Sequence, residues 1–195
     1  MTSYTKKSIL KLKPSSTLVI NEKSKELIAQ GKKVYSFGFG QSPFPVPESI
    51  VSELKKNAHR KEYLPIQGLP ELRESISKYL LKRTGNDYPK NNILITPGSK
   101  EAMLLIHIAF NGEIIIPAPG WVSYEPQAEI GSNKVHWLET TRENNWFPTG
   151  KELEKKIKSI GKNKNLILIL NSPNNPSGAV CKNLEELAKI TKKYK

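Results

Sequence analysis

Three short stretches hold the side chains best suited to chemistry, and each follows an apolar run. Thr96-Pro97-Gly98-Ser99-Lys100 comes after NNILI and before an apolar helical pattern. Gly98 would let backbone approach a ligand, and Ser99 offers a hydroxyl at the N-cap position. Lys100 adds a full charge beside the free amides of a helix N-terminus, the makings of an anion site. The same residues also suit a well-capped strand-to-helix turn. The second stretch, Pro117-Ala118-Pro119-Gly120-Trp121-Val122-Ser123-Tyr124, is stiffened by two prolines. It presents rings that could stack on a planar ligand or close the core. The third, Asn171-Ser172-Pro173-Asn174-Asn175-Pro176-Ser177-Gly178, ends the run NLILIL in a rigid loop rich in amides. In open α/β sheets, ligands bind at the carboxyl ends of strands. A phosphate turn, a stacking ring and an amide loop in series describe a site for a planar, phosphorylated, hydrogen-bonding cofactor. The nucleotide signatures GxxxxGK[ST] and GxGxxG are absent.

The elements that must position these residues alternate. Thr17 to Gln30 reads as a helix with Gly31 past its end. KKVYSFGFG reads as a short strand and QSPFPVP as an extended segment. PESIVSELKKNAHR begins a helix at Pro47, and LPELRESISKYLLKRTG is a helix from Pro70 to Gly85. NNILITPGSKEAMLLIHIAF gives strand, turn and helix. EIIIPAPGW is a strand running into a loop, YEPQAEIGS a helix and KVHWLET another strand. TGKELEKKIKSIG is a helix with Thr149 and Glu152 at capping-box spacing, and NLILIL is a strand of the buried type. The last helix has Asn183 and Glu186 at the same spacing. Strands alternating with helices predict an α/β layered sheet with crossover connections. Residues up to about Ser16 read as a mobile arm.

Composition narrows the class. Of 195 residues, 37% are hydrophobic and 25% charged, a globular balance long enough for one sizeable core or most of one. No apolar run approaches the ~20 residues needed to span a bilayer, and the N-terminus lacks a secretory signal core. The single cysteine, Cys181, rules out an internal disulfide framework and fits a reducing cytoplasm. The net charge of +13 comes mostly from dispersed lysines, without zinc-finger or RNP-type motifs. It reads as a solvated surface rather than a nucleic-acid reader.

The segments FGFGQSPFPVPESI, YLPIQGLPELRESIS, ITPGSKEAMLL, PAPGWVSYEPQ and NSPNNPSGAV together resemble the pyridoxal-phosphate-dependent aminotransferases of the aspartate aminotransferase superfamily. They come in that family's order. Ser177 stands where the family's NPxNPTG segment has threonine, which keeps the hydroxyl. The resemblance implies a three-layer α/β/α large domain of fold type I with a mainly parallel sheet. It implies a division into 1–45, an N-terminal arm and the start of a small domain, and 46–195, the first part of the cofactor domain. Pyridoxal 5'-phosphate is the implied cofactor, with an amino acid and a 2-oxo acid as substrates. By position, Gly98, Ser99 and Lys100 match the phosphate segment. Trp121 matches the stacking aromatic, and Asn175 the amide that meets the cofactor's phenolic oxygen. Tyr63 matches the tyrosine that reaches the neighbouring subunit's phosphate, which implies a homodimer. Gly40 matches the glycine against the substrate carboxylate.

In the family, the lysine that holds the cofactor covalently, the acid facing the pyridine nitrogen and the carboxylate-binding arginine all follow the NPxNPTG segment. The chain stops at Lys195 inside the helical pattern ELAKITKKYK, so truncation is expected. The polypeptide is expected not to transaminate alone. Uncovered sheet edges and helix faces are expected to favour aggregation. Two other readings remain: a lyase or cyclopropane-forming enzyme of the same fold, and a non-catalytic regulatory module.

Overall fold

The computed structural model describes residues 4–38, 40, 42–161 and 163–194. Phe39 and Gln41 of the FGFGQ segment therefore lie outside the described residues, as do the first three residues of the arm. The chain forms two compact units. One joins residues 1–14 to residues 100–195, and the other is Ser15–Ser99.

Within the described arm, Lys7–Leu10 makes one helical turn, α1, which packs against a later helix of its own unit. The described part of the arm thus contains one helical turn seated on its own unit.

The Ser15–Ser99 unit holds α2 (Ser16–Ala29), α3 (Glu48–Asn57) and α4 (Pro70–Thr84). Gly31 and Gly85 take left-handed φ of 75° and 73° just past α2 and α4, the stops their sequences announce. Arg73 of α4 is buried and donates from Nη1 to Gln67 Oε1 at 2.7 Å and to the Lys90 carbonyl at 3.2 Å. It thereby ties the helix to the 3-10 turn Lys90–Asn92. The strands expected in KKVYSFGFG and NNILIT do not form among the described residues. In the second, the Ile95 amide bonds to the Gln67 carbonyl at 3.0 Å, and Gly68 lies so close that a Cβ there would meet Ile95 at 2.5 Å. Extended backbone with no adjacent strand to pair along its length cannot make a ladder.

The larger unit contains α5 (Ser99–Ala109, reaching in from its first residue), β1 (Glu113–Ala118), α6 (Tyr124–Ile130) and β2 (Val135–Glu139). These are followed by α7 (Gly150–Ile160), β3 (Leu166–Leu168) and α8 (Leu184–Lys193). The sheet order is β2-β1-β3, all parallel, with Ile115 opposite both His136 and Leu168. Alternation along β1 sends its side chains to two cores. Ile115 joins Leu138, Leu153, Ile157 and Leu187 under α7 and α8. Ile114 and Ile116 join Tyr124 and Ala128 on the other face, where Met103 of α5 also packs. Helices cover both faces, so this unit is a three-layer α/β/α sandwich. β3 is only half-buried, not fully buried as NLILIL suggested. It is hydrogen-bonded along one edge alone among the described residues.

The two capping boxes fared differently. Thr149 accepts from the Glu152 amide while the Glu152 carboxylate accepts from the Thr149 amide, as the spacing predicts. Asn183 makes no side-chain cap. Its amide donates instead to the Pro148 carbonyl at 2.9 Å and to Glu186 Oε2 at 3.1 Å. Those two bonds fix the side chain, and its Oδ1 accepts from Cys181 Sγ at 3.5 Å rather than from a helix amide.

At the amino end of the sheet, one half-buried cluster crosses all three strands. Glu113 on β1 accepts from His136 on β2 at 2.5 Å and from Lys164, just before β3, at 2.8 Å. The bonds from Lys164 and then His136 hold the Glu113 carboxyl down to about 2, against about 4.3 for an unperturbed glutamate. A carboxylate depressed in the folded state stabilises above its unfolded value, and that contribution disappears as pH falls toward the folded value. Glu113→Gln should therefore lower the thermal midpoint at pH 7 by several degrees. The gap from the parent should narrow between about pH 4 and pH 2, as followed by circular dichroism. A gap that did not change with pH would rule out the ion pair as its source.

Candidate cofactor site

Because all three strands are parallel, their carboxyl ends share one edge, and the loops after β1 and β3 leave from it. The turn Thr96–Gly98 leads into α5, whose first two residues are Ser99 and Lys100. Gly98 adopts φ +89°, and a Cβ placed there would meet nothing within 4 Å. The position combines left-handed backbone with open space, as close ligand approach requires. The Thr96 hydroxyl donates to the Gly98 carbonyl at 3.0 Å, fixing the turn. Ser99 is the first helical residue rather than the N-cap expected from sequence.

Lys100 and Trp121 come together: the ammonium lies 5.7 Å from the indole ring centroid. Gln127 of α6 helps by donating to the Lys100 carbonyl at 2.7 Å, which pins the first turn of α5 to α6. Trp121 is half-buried and meets Tyr124 edge-on, with centroids 5.4 Å apart and planes at 84°. Its ring also packs against the core cluster around Ile116. The stacking and core-closing roles weighed for this residue are therefore both open to it. Burial pushes the Tyr124 phenol up, so it remains a neutral wall.

The asparagine loop divides its amides. Asn174 donates to the Pro119 carbonyl at 3.1 Å and to Ser177 Oγ at 2.8 Å, while its own backbone closes on Ala179 and Gly178. Asn171 Oδ1 accepts from the Asn175 backbone N–H at 2.8 Å. These two asparagines hold the loop, as expected for residues that satisfy a turn. The Asn175 side chain is exposed and makes no hydrogen bond among the described residues. Asn174 is the link that sequence reading did not supply: it couples the loop after β3 to the loop bearing Trp121. The peptide bonds before Pro119, Pro173 and Pro176 are cis.

Tyr63 and Gly40 belong, with Gly98 and Ser99, to the Ser15–Ser99 unit. Tyr63 is fully exposed, and Gly40 has open space where a Cβ would lie. Among the described residues no cluster of three or more His, Cys, Asp or Glu could hold a metal, and no helix is long and apolar enough to cross a membrane.

The fold is an α/β sandwich with polar loops gathered at the carboxyl edge of a parallel sheet. The chain belongs to the aminotransferases of class I and II, whose family model matches residues 32–195. It is 34% identical over 186 residues to a probable aspartate/prephenate aminotransferase of Aquifex aeolicus, covering 92% of this chain and 45% of that protein. It is also 34% identical to an aspartate aminotransferase of Thermotoga maritima, covering 92% of this chain and 48% of the relative. Among solved structures, the aspartate aminotransferase of Thermus thermophilus with maleate superposes with a TM-score of 0.89 at 28% identity. That match covers 99% of this chain and 51% of the other. The chain spans about half the length of the relatives it matches.

Asn174→Ala should leave the Pro119 carbonyl and the Ser177 hydroxyl without their shared donor. We expect a loss of about 1–3 kcal/mol, against about 1 kcal/mol for Thr149→Ala at the capping box. Urea unfolding of both variants gives the comparison, and equal losses would mean that the Asn174 bridge does no more than an ordinary cap.

Proposed function

We propose that the protein to which this chain belongs moves an amino group between an amino acid and a 2-oxo acid, with pyridoxal phosphate as cofactor. Aspartate, named for several relatives, is the first substrate to test. The family as a whole is generally pyridoxal-phosphate-dependent. The carrying observation is the set of groups able to meet a ligand beside the sheet's carboxyl edge. Lys100 stands over the Trp121 ring, and the Asn175 amide is free among the described residues. The geometry of Gly98 adds support through its left-handed backbone and open surroundings.

Lys100, Trp121 and Asn175, all of the larger unit, fit the group. Gly98, Ser99 and the first-turn amides of α5 would hold its phosphate, where a helix N-terminus favours negative charge. Lys100 would add a cation, and the Trp121 face would bear on the ring. Asn175 would donate to the ring's oxyanion, a bond that favours the ionised oxygen. Gly40 would leave room for the substrate carboxylate, and Tyr63 would reach the phosphate of a second subunit in a homodimer. When bound, pyridoxal phosphate supplies an electron-withdrawing ring that weakens bonds at the amino acid's α-carbon. This chain's residues orient that group and exclude water from one side of it. We also propose that residues 1–45 belong to an N-terminal arm and small domain, and 46–195 to the cofactor domain.

The test needs a probe that surface lysines cannot capture as an imine, and pyridoxamine phosphate has no aldehyde. Saturable binding of it, followed by tryptophan fluorescence, is expected for the parent chain. Trp121→Phe, Lys100→Ala and Asn175→Ala are each expected to weaken binding by about tenfold, the loss of one charge-assisted hydrogen bond or stacking contact. Folded chain that shows no saturable binding, or variants that all bind like the parent, would overturn the reading.

A further inference from the structure

The connection from β2 to α7 contains two consecutive non-glycine residues in left-handed conformation, Asn145 at φ 54° and Trp146 at φ 58°. Asparagine tolerates that region, but a bulky side chain there is a steric outlier that the surroundings must enforce. Three bonds close the turn: Trp146 N to the Thr141 carbonyl, Asn145 N to the Arg142 carbonyl and Phe147 N to the Asn144 carbonyl. Phe147 and Pro148 are buried behind it.

What the strained turn holds is the asparagine loop. Asn145 Nδ2 donates to the Val180 carbonyl at 2.8 Å, across 35 residues of sequence. The Trp146 side lines the crevice at the ends of β1 and β3 together with Gly120, Tyr124, Asn171 and Asn174. Two more bonds follow: Asn183 to the Pro148 carbonyl, and the Gly150 amide to Glu186 Oε1 at 2.8 Å. The loop bearing Asn175 is thus gripped from two sides, by Asn174 on Pro119 and by Asn145 on Val180.

We infer that Asn145 and Trp146 are positioning residues, which set the Asn171–Val180 loop and, through it, aim the Asn175 amide. The part concerning Asn175 rests on the cofactor reading above, whereas the part concerning the loop does not. A simple connector between a strand and a helix needs neither a left-handed tryptophan nor a bond to a loop 35 residues away.

Hydrogen exchange of the parent chain and of Asn145→Gly and Asn145→Asp separates the two roles. Glycine keeps the left-handed backbone and deletes only the amide, while aspartate keeps the shape but cannot donate to Val180. Both variants should speed exchange across residues 174–179 by about tenfold or more, with β1 and β2 unchanged. Unchanged loop exchange in both variants overturns the inference, as does an acceleration spread evenly over the sheet. Pyridoxamine phosphate affinity is the second readout. It should fall in both variants by about the factor seen for Asn175→Ala. A faster loop with undiminished affinity would remove the aiming role. If the parent itself bound no pyridoxamine phosphate, the cofactor reading would fail while the exchange result still decided the grip on the loop.

Discussion

The site depends on one constraint: β1 is paired in parallel on both sides. Its three isoleucines are essentially sealed from solvent, with Ile115 on one face and Ile114 and Ile116 on the other. Parallel pairing requires long crossovers, and here those crossovers are the helices that cover the faces. It also brings every strand's carboxyl end to one edge. The ladder runs to Ala118 opposite Glu139, and Ile169 still bonds to Ile115 just past β3. The loops with Trp121 and Asn175 therefore start from neighbouring strand ends, close enough for Asn174 to span them. The Thr140 hydroxyl, just past β2, donates to the Ala118 carbonyl and fixes the last residue of β1, from which the aromatic loop leaves.

Around that frame the helices carry unequal polar loads. α7 and α8 cover their face with leucine and isoleucine, and their joint is sealed by Glu154, which bonds to Lys193 and Tyr194. The α5–α6 side buries polar groups as well. Gln127 fixes Lys100, and the Asn133 amide donates to the Phe110 and Gly112 carbonyls. His107 is almost fully buried there, and burial lowers its pKa, favouring the neutral ring. Buried polar groups specify geometry at a cost in desolvation. Of these groups, Gln127 acts at Lys100, whereas Asn133 ties down the residues that lead into β1 at the sheet's amino end.

What the sequence made legible was local. The strand in EIIIPA, the glycines after helices and the TGKE capping box are each decided by neighbours a few residues away, and each appears as read. What it concealed was decided at long range. Asn183 fits a cap by spacing, yet the Pro148 carbonyl, 35 residues back, claims its amide. KKVYSFGFG and NNILIT have strand composition, but a strand exists only with a partner alongside. The three asparagines and two prolines of NSPNNPSG announced a rigid loop, not which side-chain amide would hold it and which would stay free. RENNW held the clearest missed signal. Paired asparagines in a polar turn point to left-handed backbone, although nothing in the sequence points to Val180 as the partner.

The chemistry that this half of the architecture can contribute follows from the kinds of group it offers. In the proposed site, an N-terminal amide cluster, an ammonium over an indole and a neutral amide donor would hold a planar anion through interactions present before any bond changes. Groups of that kind bind ground and transition states alike unless charge moves toward them. The exception is Asn175, which in the proposed site would donate to a ring oxygen whose charge the cofactor's chemistry would alter. A donor fixed in place beside such an atom requires no reorganisation when the charge shifts, and preorganisation of this sort is where hydrogen bonds yield most rate. That is a physical reason for the unequal support of the three asparagines. Asn171 and Asn174 hold the backbone, the Arg142–Trp146 turn braces the loop's exit, and one side chain is left unbound at the open edge.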